Sequence, residues 1–346
     1  MIRIGKGLLL MALLVCLSIL GWIPEGSTAP KVMNLFIGST SSSSSAYPIV
    51  VATARMINRN VPEVRVTLLE TGATHDNIQR MMKGKIQICG STGFDGPIMA
   101  YNGLYQYKDK PFKAIRVFFH ERATILLFAV RVDSGVKTLR DLNGKRFHVG
   151  IPGGAAELNP RRLCEAFGIK PEFVYGSLAD GIEMVKEGRA MGLSKYSPGV
   201  RTLDASIMDI KSNNPMRLLS LTEEEIEKAL QIIPGHIRIE LTADNPLLKT
   251  LGQESLVSIV MPGSHYISAE LPADLVYKMI RGIVKDWKTD MVPALAETAD
   301  LDVIKNTIQT ASGVPNPLPL HAGVVKYFIE RGYDVPSKVL PPEWKK

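Results

Sequence analysis

The chain of 346 residues is long enough for two domains of about 150 residues each. Hydrophobic residues make up 45% and charged residues 22%, which excludes a disordered chain, a collagen-like chain and a polytopic membrane protein, and three cysteines are too few for a disulfide scaffold. Lys and Arg number 41 against 34 Asp and Glu, but the resulting +7 is scattered without a run of five like charges, so a small anion fits the modest positive field at least as well as nucleic acid.

Arg3 and Lys6 precede an apolar run from Leu8 to Trp22, and Ser27 and Ala29 close a small-residue exit. A charged start, an apolar stretch of this length and such an exit describe a secretory signal peptide. As a helix the run spans about 22 Å, short of the ~30 Å hydrocarbon core, which argues against a permanent anchor. Residues 1–29 are therefore read as an export signal and the remainder as a periplasmic protein. Cys89 and Cys164 then lie in an oxidising compartment, where they are read as two separate buried thiols.

The rest of the chain alternates short apolar runs with amphipathic segments. Val32–Ile37 and Val64–Leu69 read as strands, with a helix over Pro48–Ile57 between them and a second helix over Asn77–Met82 ending at Gly84. Strands follow at Ile86–Cys89 and Ala114–Phe119. After the long apolar run Ile125–Val132 the pattern begins again. Strands are expected at Lys145–Gly150 and Glu172–Tyr175, and helices at Ala156–Phe167 and Leu178–Lys186. Met216–Leu219 and Ile237–Glu240 are further strands, and Thr222 followed by three glutamates reads as a capped, solvated helix start, not a metal site. Amphipathic helices over 272–291 and 300–310 precede a Pro-rich tail. Two α/β modules in series predict right-handed crossovers and a mainly parallel sheet covered on both faces.

Two loops stand out. The first strand runs into Gly38, Ser39, Thr40, Ser41, Ser42, Ser43, Ser44, Ser45, Ala46, Tyr47 and Pro48. Five consecutive serines resemble a linker, but a linker would separate a strand from its own crossover helix, where loops of 2–6 residues are normal. A loop presenting hydroxyls and N–H groups at a helix N-terminus is the better reading. The second module repeats the arrangement with Gly150, Ile151, Pro152, Gly153, Gly154, Ala155 and Ala156. Neither a nucleotide phosphate loop nor G-x-G-x-x-G is present. Ligands of open α/β sheets bind beyond the carboxyl ends of the strands, so both loops are expected to face one cleft.

At these loops the chain resembles the TAXI-type solute receptors of tripartite ATP-independent periplasmic (TRAP) transporters. Gly38–Pro48 is similar to the family's G-T-G-S-T-G-G-T-Y-Y-P, and Thr71–Ile78 to its T-G-G-S-x-E-N-L. Asp95 stands before Ala100-Tyr101-Asn102-Gly103 as the family's Asp stands before A-Y-N-G. Val130–Gly150 follows V-R-x-D-S-G-I-x-x-x-x-D-L-x-G-K-R-V-x-V-G, and Pro319–Gly323 follows P-L-H-x-G. The resemblance covers residues 32–340. It implies a type II periplasmic-binding-protein fold, two doubly wound α/β lobes joined by two crossover segments near Thr124–Val130 and Ser255–Val260. Lobe I would comprise 30–124 plus 260–346, and lobe II 125–259. It further implies a monomeric receptor that captures a small organic acid and delivers it to a separate TRAP permease.

The departures from the family pattern bear on the ligand. Paired glycines become Ser43 and Ser44, the family's first Tyr becomes Ala46, and the hydroxyls of P-G-S-G-T are lost at Gly154 and Ala156. A carboxylate held mainly by Ser39, Thr40, Ser41, Ser42, Ser43 and Ser44, with an apolar part toward Pro152, Gly153, Gly154, Ala155 and Ala156, fits that change. Tyr47 reads either as a ring over the ligand or as a hydrophobic staple. Thr71 and Gly72 end the second strand and are candidate contacts. Asp95 is carried over from the resemblance. Ser194 and Tyr196, read as following a strand of the second lobe, complete the set. His120-Glu121-Arg122 follows a strand and reads either as the family's L-Y-x-E-like segment or as a solvated loop, and Arg161 and Arg162 read as surface charges unless one reaches the cleft to pair with a carboxylate. His236, His265 and His321 are isolated, and no H-x-x-H spacing calls for a metal or cofactor. An exported hydrolase would need an elbow of the G-x-S-x-G kind, which is absent. A sensor subunit with the same fold and cleft would differ only in its membrane partner.

Overall fold

The computed structural model describes residues 32–314 and 317–345. The expected export segment, residues 1–29, lies outside the described residues. In chain order the elements are β1 (Met33–Gly38), α1 (Ala46–Asn60), β2 (Val64–Leu69), α2 (Thr74–Met82), β3 (Ile88–Gly93), α3 (Asp95–Asn102) and β4 (Ile115–Arg131). Then come β5 (Arg146–His148), α4 (Ala155–Phe167), β6 (Glu172–Val174), α5 (Leu178–Lys186), β7 (Gly192–Pro198) and α6 (Ala205–Lys211). The chain continues with β8 (Met216–Leu218), α7 (Glu223–Ile232), β9 (Ile237–Thr242), α8 (Pro246–Leu251), β10 (Ser255–Ser268), α9 (Ala273–Asp286), α10 (Val303–Ser312) and α11 (Ala322–Glu330).

Local chemistry accounts for most of these boundaries. On α1, Ile49, Val50, Thr53, Met56 and Ile57 recur at helical spacing and are buried. Ser177 with Asp180, and Thr222 with Glu225, form reciprocal capping boxes that satisfy the first N–H groups of α5 and α7. The acid-rich start at Thr222 is thus a helix cap.

The strands order as β2-β1-β3-β10-β4-β7-β5-β6, with β8 on β4 and β9 on β10. β1 pairs in parallel with β2 and β3, and β5 with β6 and β7. The two long strands β4 and β10 run antiparallel to each other, and β4 runs antiparallel to β7 and β10 to β3. The sheet is therefore mixed, where the sequence pattern predicted a mainly parallel one. The alternation of apolar runs and helices does not reveal a strand that returns through the middle of the molecule.

These strands join the two halves. β4 pairs with β10 through Ile115–Ile125 and with β7 through Ile125–Val130, so one strand serves both halves of the sheet. Both crossover segments expected from the resemblance fall inside β4 and β10. In the second stretch Ile125, Leu127 and Ala129 face one core while Leu126, Phe128 and Val130 face the other. Burial on both faces explains the unbroken apolar run.

His120, Glu121 and Arg122 are not in a loop. They sit inside β4, with His120 and Glu121 buried, because the ladder to β10 carries the strand past the point where its apolar residues stop. Cys89 and Cys164 are both buried and unpaired.

Gly192 begins β7 where backbones meet closely: a Cβ there would lie 2.1 Å from the Ala129 carbonyl oxygen. Gly192→Ala is expected to cost about 1–3 kcal/mol by forcing β7 away from β4, read as a lowered midpoint in urea unfolding with an unchanged m-value.

Candidate functional site

Each half of the sheet delivers one loop to the cleft. The first begins at Gly38, where a Cβ would lie 2.2 Å from Asn77 Oδ1, so only glycine lets α2 pack this closely. The Ser39 carbonyl then accepts hydrogen bonds from Thr71 Oγ1 (2.7 Å) and Asn77 Nδ2 (2.8 Å). The serines that follow are ordered. Ser44 N–H donates to the Ser41 carbonyl at 3.0 Å, Ser43 N–H to Ser41 Oγ at 3.3 Å and Ser42 N–H to Glu70 at 2.9 Å. Internal turns of this kind make the five serines a built loop.

The second loop turns at Gly150 (φ 85°) and Gly153 (φ 82°), both in the left-handed region that glycine adopts freely. It enters α4 with Gly154 as N-cap. The N–H groups of Ala155 and Ala156 occupy the first turn, ahead of the first intrahelical bonds, which Glu157 and Leu158 make to the Gly154 carbonyl. A helix N-terminus so exposed carries partial positive charge.

The two halves meet at these loops. His75 N–H, on α2, donates to the Gly153 carbonyl at 2.9 Å, and Ala205 N–H, at the start of α6, donates to Ser45 Oγ at 2.8 Å. Lys195, from the centre of β7 and only 9% exposed, donates from Nζ to Ser44 Oγ at 2.8 Å. Its counter-charge is Asp204, the buried N-cap of α6, 3.8 Å away. A buried ammonium needs such partners, since desolvation without them is costly. Ser44 Oγ also accepts from Ala46 N–H at 3.3 Å. With both lone-pair directions occupied, the Ser44 hydroxyl proton is free to donate to an acceptor.

A second link crosses deeper. Asn159 on α4 donates to Asp95 Oδ2 (2.8 Å) of α3 and lies 3.0 Å from the Tyr196 hydroxyl, which is 2.9 Å from His236 Nε2. Burial lowers the basicity of His236 and raises the Tyr196 phenol above its ordinary value.

Between these links lies a space of about 70 Å³ lined by Thr40, Ser44, Ser91, Gly154, Ala155, Ala156, Ser194, Lys195 and Tyr196, with Thr74 and Met261. That is small beside the ~300–1,000 Å³ of ordinary ligand pockets, as befits two halves drawn together. A wider groove of about 1070 Å³ follows the crossing strands, with Glu121, Arg122, Arg201 and Glu297 among its walls. Only the smaller space receives both loops and the buried ammonium.

Of the residues singled out from sequence, Thr40, Ser44, Gly154, Ala155, Ala156, Ser194 and Tyr196 line this cavity. Ser194 and Tyr196 lie within β7, not after a strand. The others surround it. Ser39 and Thr71 brace the first loop, Ser41 closes its turn, and Ser42 and Ser43 sit on its outer side. Tyr47 is half-buried on α1; Gly72 packs beside the Pro152 carbonyl; Pro152 is exposed; Gly153 contributes its carbonyl to His75. Asp95 is buried behind the wall on Asn159. Arg162 does reach the other half, donating to Gln106 at 2.9 Å, while Arg161 pairs with Glu157 on its own helix.

Sequence reasoning missed Lys195, Ser91, Thr74 and Asn159. Lys195 lies between two residues that were chosen. Strict strand alternation puts it on the opposite face from Ser194 and Tyr196, yet a lysine in a strand buried at every position is itself unusual.

The site defines the class: a two-lobe α/β protein with the type II periplasmic-binding-protein fold, with a cavity at paired strand ends and helix N-termini. A model of the NMT1-like family matches residues 37–332, and the chain belongs to that family. Among solved structures, the chain is similar to the alkanesulfonate-binding protein SsuA from Xanthomonas axonopodis pv. citri, with 16% identity and a TM-score of 0.44 over 90% of this chain and 98% of that one. It is similar also to the aliphatic sulphonate binding protein SsuA from Escherichia coli (17%, TM-score 0.41, 89% and 95%). An ancestral arginine-binding protein matches at 13% identity and a TM-score of 0.46, over 78% of this chain and 98% of its own length.

Asn159→Leu removes the donor that Asp95 shares with Tyr196 and leaves a buried carboxylate unsatisfied. A penalty of about 1–3 kcal/mol against the drawn-together form is expected, seen as an increased radius of gyration in small-angle X-ray scattering relative to the parent protein.

Proposed function

We propose that this protein is an extracytoplasmic receptor that captures a small organic acid between its lobes and delivers it to a membrane permease of the TRAP type. The carrying observation is the Lys195 ammonium meeting the serine loop across the cavity. A carboxylate there would take charge-assisted hydrogen bonds from Lys195, the spare proton of Ser44 and the N–H groups of Ala155 and Ala156. Ala155, Ala156, Leu178 and Met261 supply apolar wall for the rest of the ligand.

Capture and closure are then one event. The cation comes from β7 and the hydroxyls from the loop after β1, so an anion gains its full set of donors only when the halves are together. A ligand with that differential affinity shifts the population toward the closed form. Closure also brings together surfaces from both halves, a composite that a permease can recognise. The loop and hinge-entry motifs at Gly38–Pro48 and Val130–Gly150 favour the tripartite kind of partner.

Isothermal titration against mono- and dicarboxylates is expected to find a binder, and Lys195→Met should weaken it ten- to hundredfold, matching about 1.5–3 kcal/mol for a hydrogen bond to a charged group. Binding confined to neutral sugars or to cations would overturn the proposal.

A further inference from the structure

Behind the cavity wall lies a buried polar cluster that the anion cradle does not use. Ser91, on β3, lines the cavity and adopts φ 41°, a strained conformation for a residue with a side chain. Its hydroxyl donates to Glu121 Oε1 at 2.9 Å. Glu121 Oε2 faces His265 Nδ1 at 3.5 Å, and neither atom has a hydrogen-bond partner.

The bonding on the far side of His265 bears on what lies between them. Thr53 Oγ1 donates its only proton to the Ile49 carbonyl (3.0 Å) and lies 3.0 Å from His265 Nε2. With that proton on the Ile49 carbonyl, the Nε2 atom carries hydrogen, which leaves Nδ1 a lone pair in the neutral ring. An ionised Glu121 would set a carboxylate oxygen against that lone pair. One proton shared by Glu121 and His265 removes the conflict.

Nothing else nearby offers a counter-charge. On β4, His120 turns to Ser264 at 2.5 Å and Arg122 donates to the Glu297 carbonyl. From α10, Asn306 bonds the main-chain carbonyls of His120 and Glu121. Phe119 stacks on His265. The groove beyond carries Arg201, Glu297 and Asp300, and the Glu297 carboxylate is held by the N–H groups of Val200 and Arg201. Among the described residues, His265 is the one basic side chain within 4 Å of the Glu121 carboxylate.

We infer that Glu121 is a positioning residue for the ligand cavity: sharing one proton with His265, it fixes the Ser91 hydroxyl and keeps the wall behind an anionic ligand uncharged, so that loss of the proton expels the ligand. The inference rests on the ligand being an anion. Burial raises the Glu121 carboxyl to about 7 and lowers His265 to about 3, so at neutral pH the proton belongs to Glu121. An anion bound beyond Ser91 raises the Glu121 value further; by linkage, its affinity falls as pH rises through the free-state midpoint and capture above that midpoint takes up a proton.

Two measurements separate this inference from the carboxylate reading. In ligand-free protein, carbon-13 NMR of carboxyl-labelled glutamate, with Glu121→Gln providing the assignment, should show a Glu121 midpoint near neutrality that rises in Ser91→Ala. A midpoint in the ordinary carboxylate range, or one that Ser91→Ala leaves in place, overturns the inference whether or not any acid binds. In the second measurement, succinate affinity should fall by up to tenfold per pH unit above pH 7.5 in the parent protein. Glu121→Gln, whose amide can both accept from Ser91 and donate to His265, should flatten that slope. A flat parent profile, or an equal slope in the variant, overturns the inference. Failure of succinate to bind at every pH counts against the carboxylate reading alone, and the NMR midpoint then decides the matter of Glu121.

Discussion

The arrangement of this molecule depends on one ammonium group kept out of water. Lys195 stands in a strand buried at every position, and its charge is tolerable only because Asp204 lies behind it and Ser44 in front. Asp204 belongs to the same half of the sheet as Lys195, whereas Ser44 belongs to the other. Bringing the halves together therefore completes the solvation of a charge that the second half cannot finish alone. Much of the surrounding architecture serves that meeting: close pairing of β7 on β4 through Gly192, the N-cap of α6 at Asp204, and Asn77 and Thr71 holding the serine loop in place.

The crossing strands give the meeting its axis. β4 and β10 are each paired in both halves, so any relative movement must be absorbed where their partners change, near Ile125 and Val260. The buried Ser91–Glu121–His265 cluster lies close to that change of partners. Polar groups are expensive at such a depth, and their position between hinge and cavity links the chemistry of the wall to the strands that would bend.

Much of the fold was legible in the sequence because its causes are local. Capping residues at Ser177 and Thr222, alternation along Val64–Leu69 and the helical stripe of α1 act within a few residues and leave their mark there. The long strands were harder. β4 reads as two pieces because His120, Glu121 and Arg122 interrupt its apolar run, and only pairing with β10, about 140 residues away, makes it one. The same reason hid the short α3, whose helix moment is weak because nearly all its faces are buried.

For the cavity, the two loops were legible as glycine- and serine-rich strand ends. Their proposed function as a cradle depends on residues whose importance is relational. Thr71 looked like a contact and is a brace; Asp95 looked like a contact and sits behind the wall on Asn159. Lys195 was hidden by alternation, which places it on the wrong face until the twist of β7 and the approach of the opposite loop are known.

Two of the links that join the halves use main-chain groups on at least one side: His75 N–H to the Gly153 carbonyl, and Ala205 N–H to Ser45. Peptide groups survive almost any replacement of a side chain. If the protein is the proposed receptor, its shutting motion would be partly insulated from the residues that choose the guest, leaving its descendants free to change their diet while keeping the same jaw.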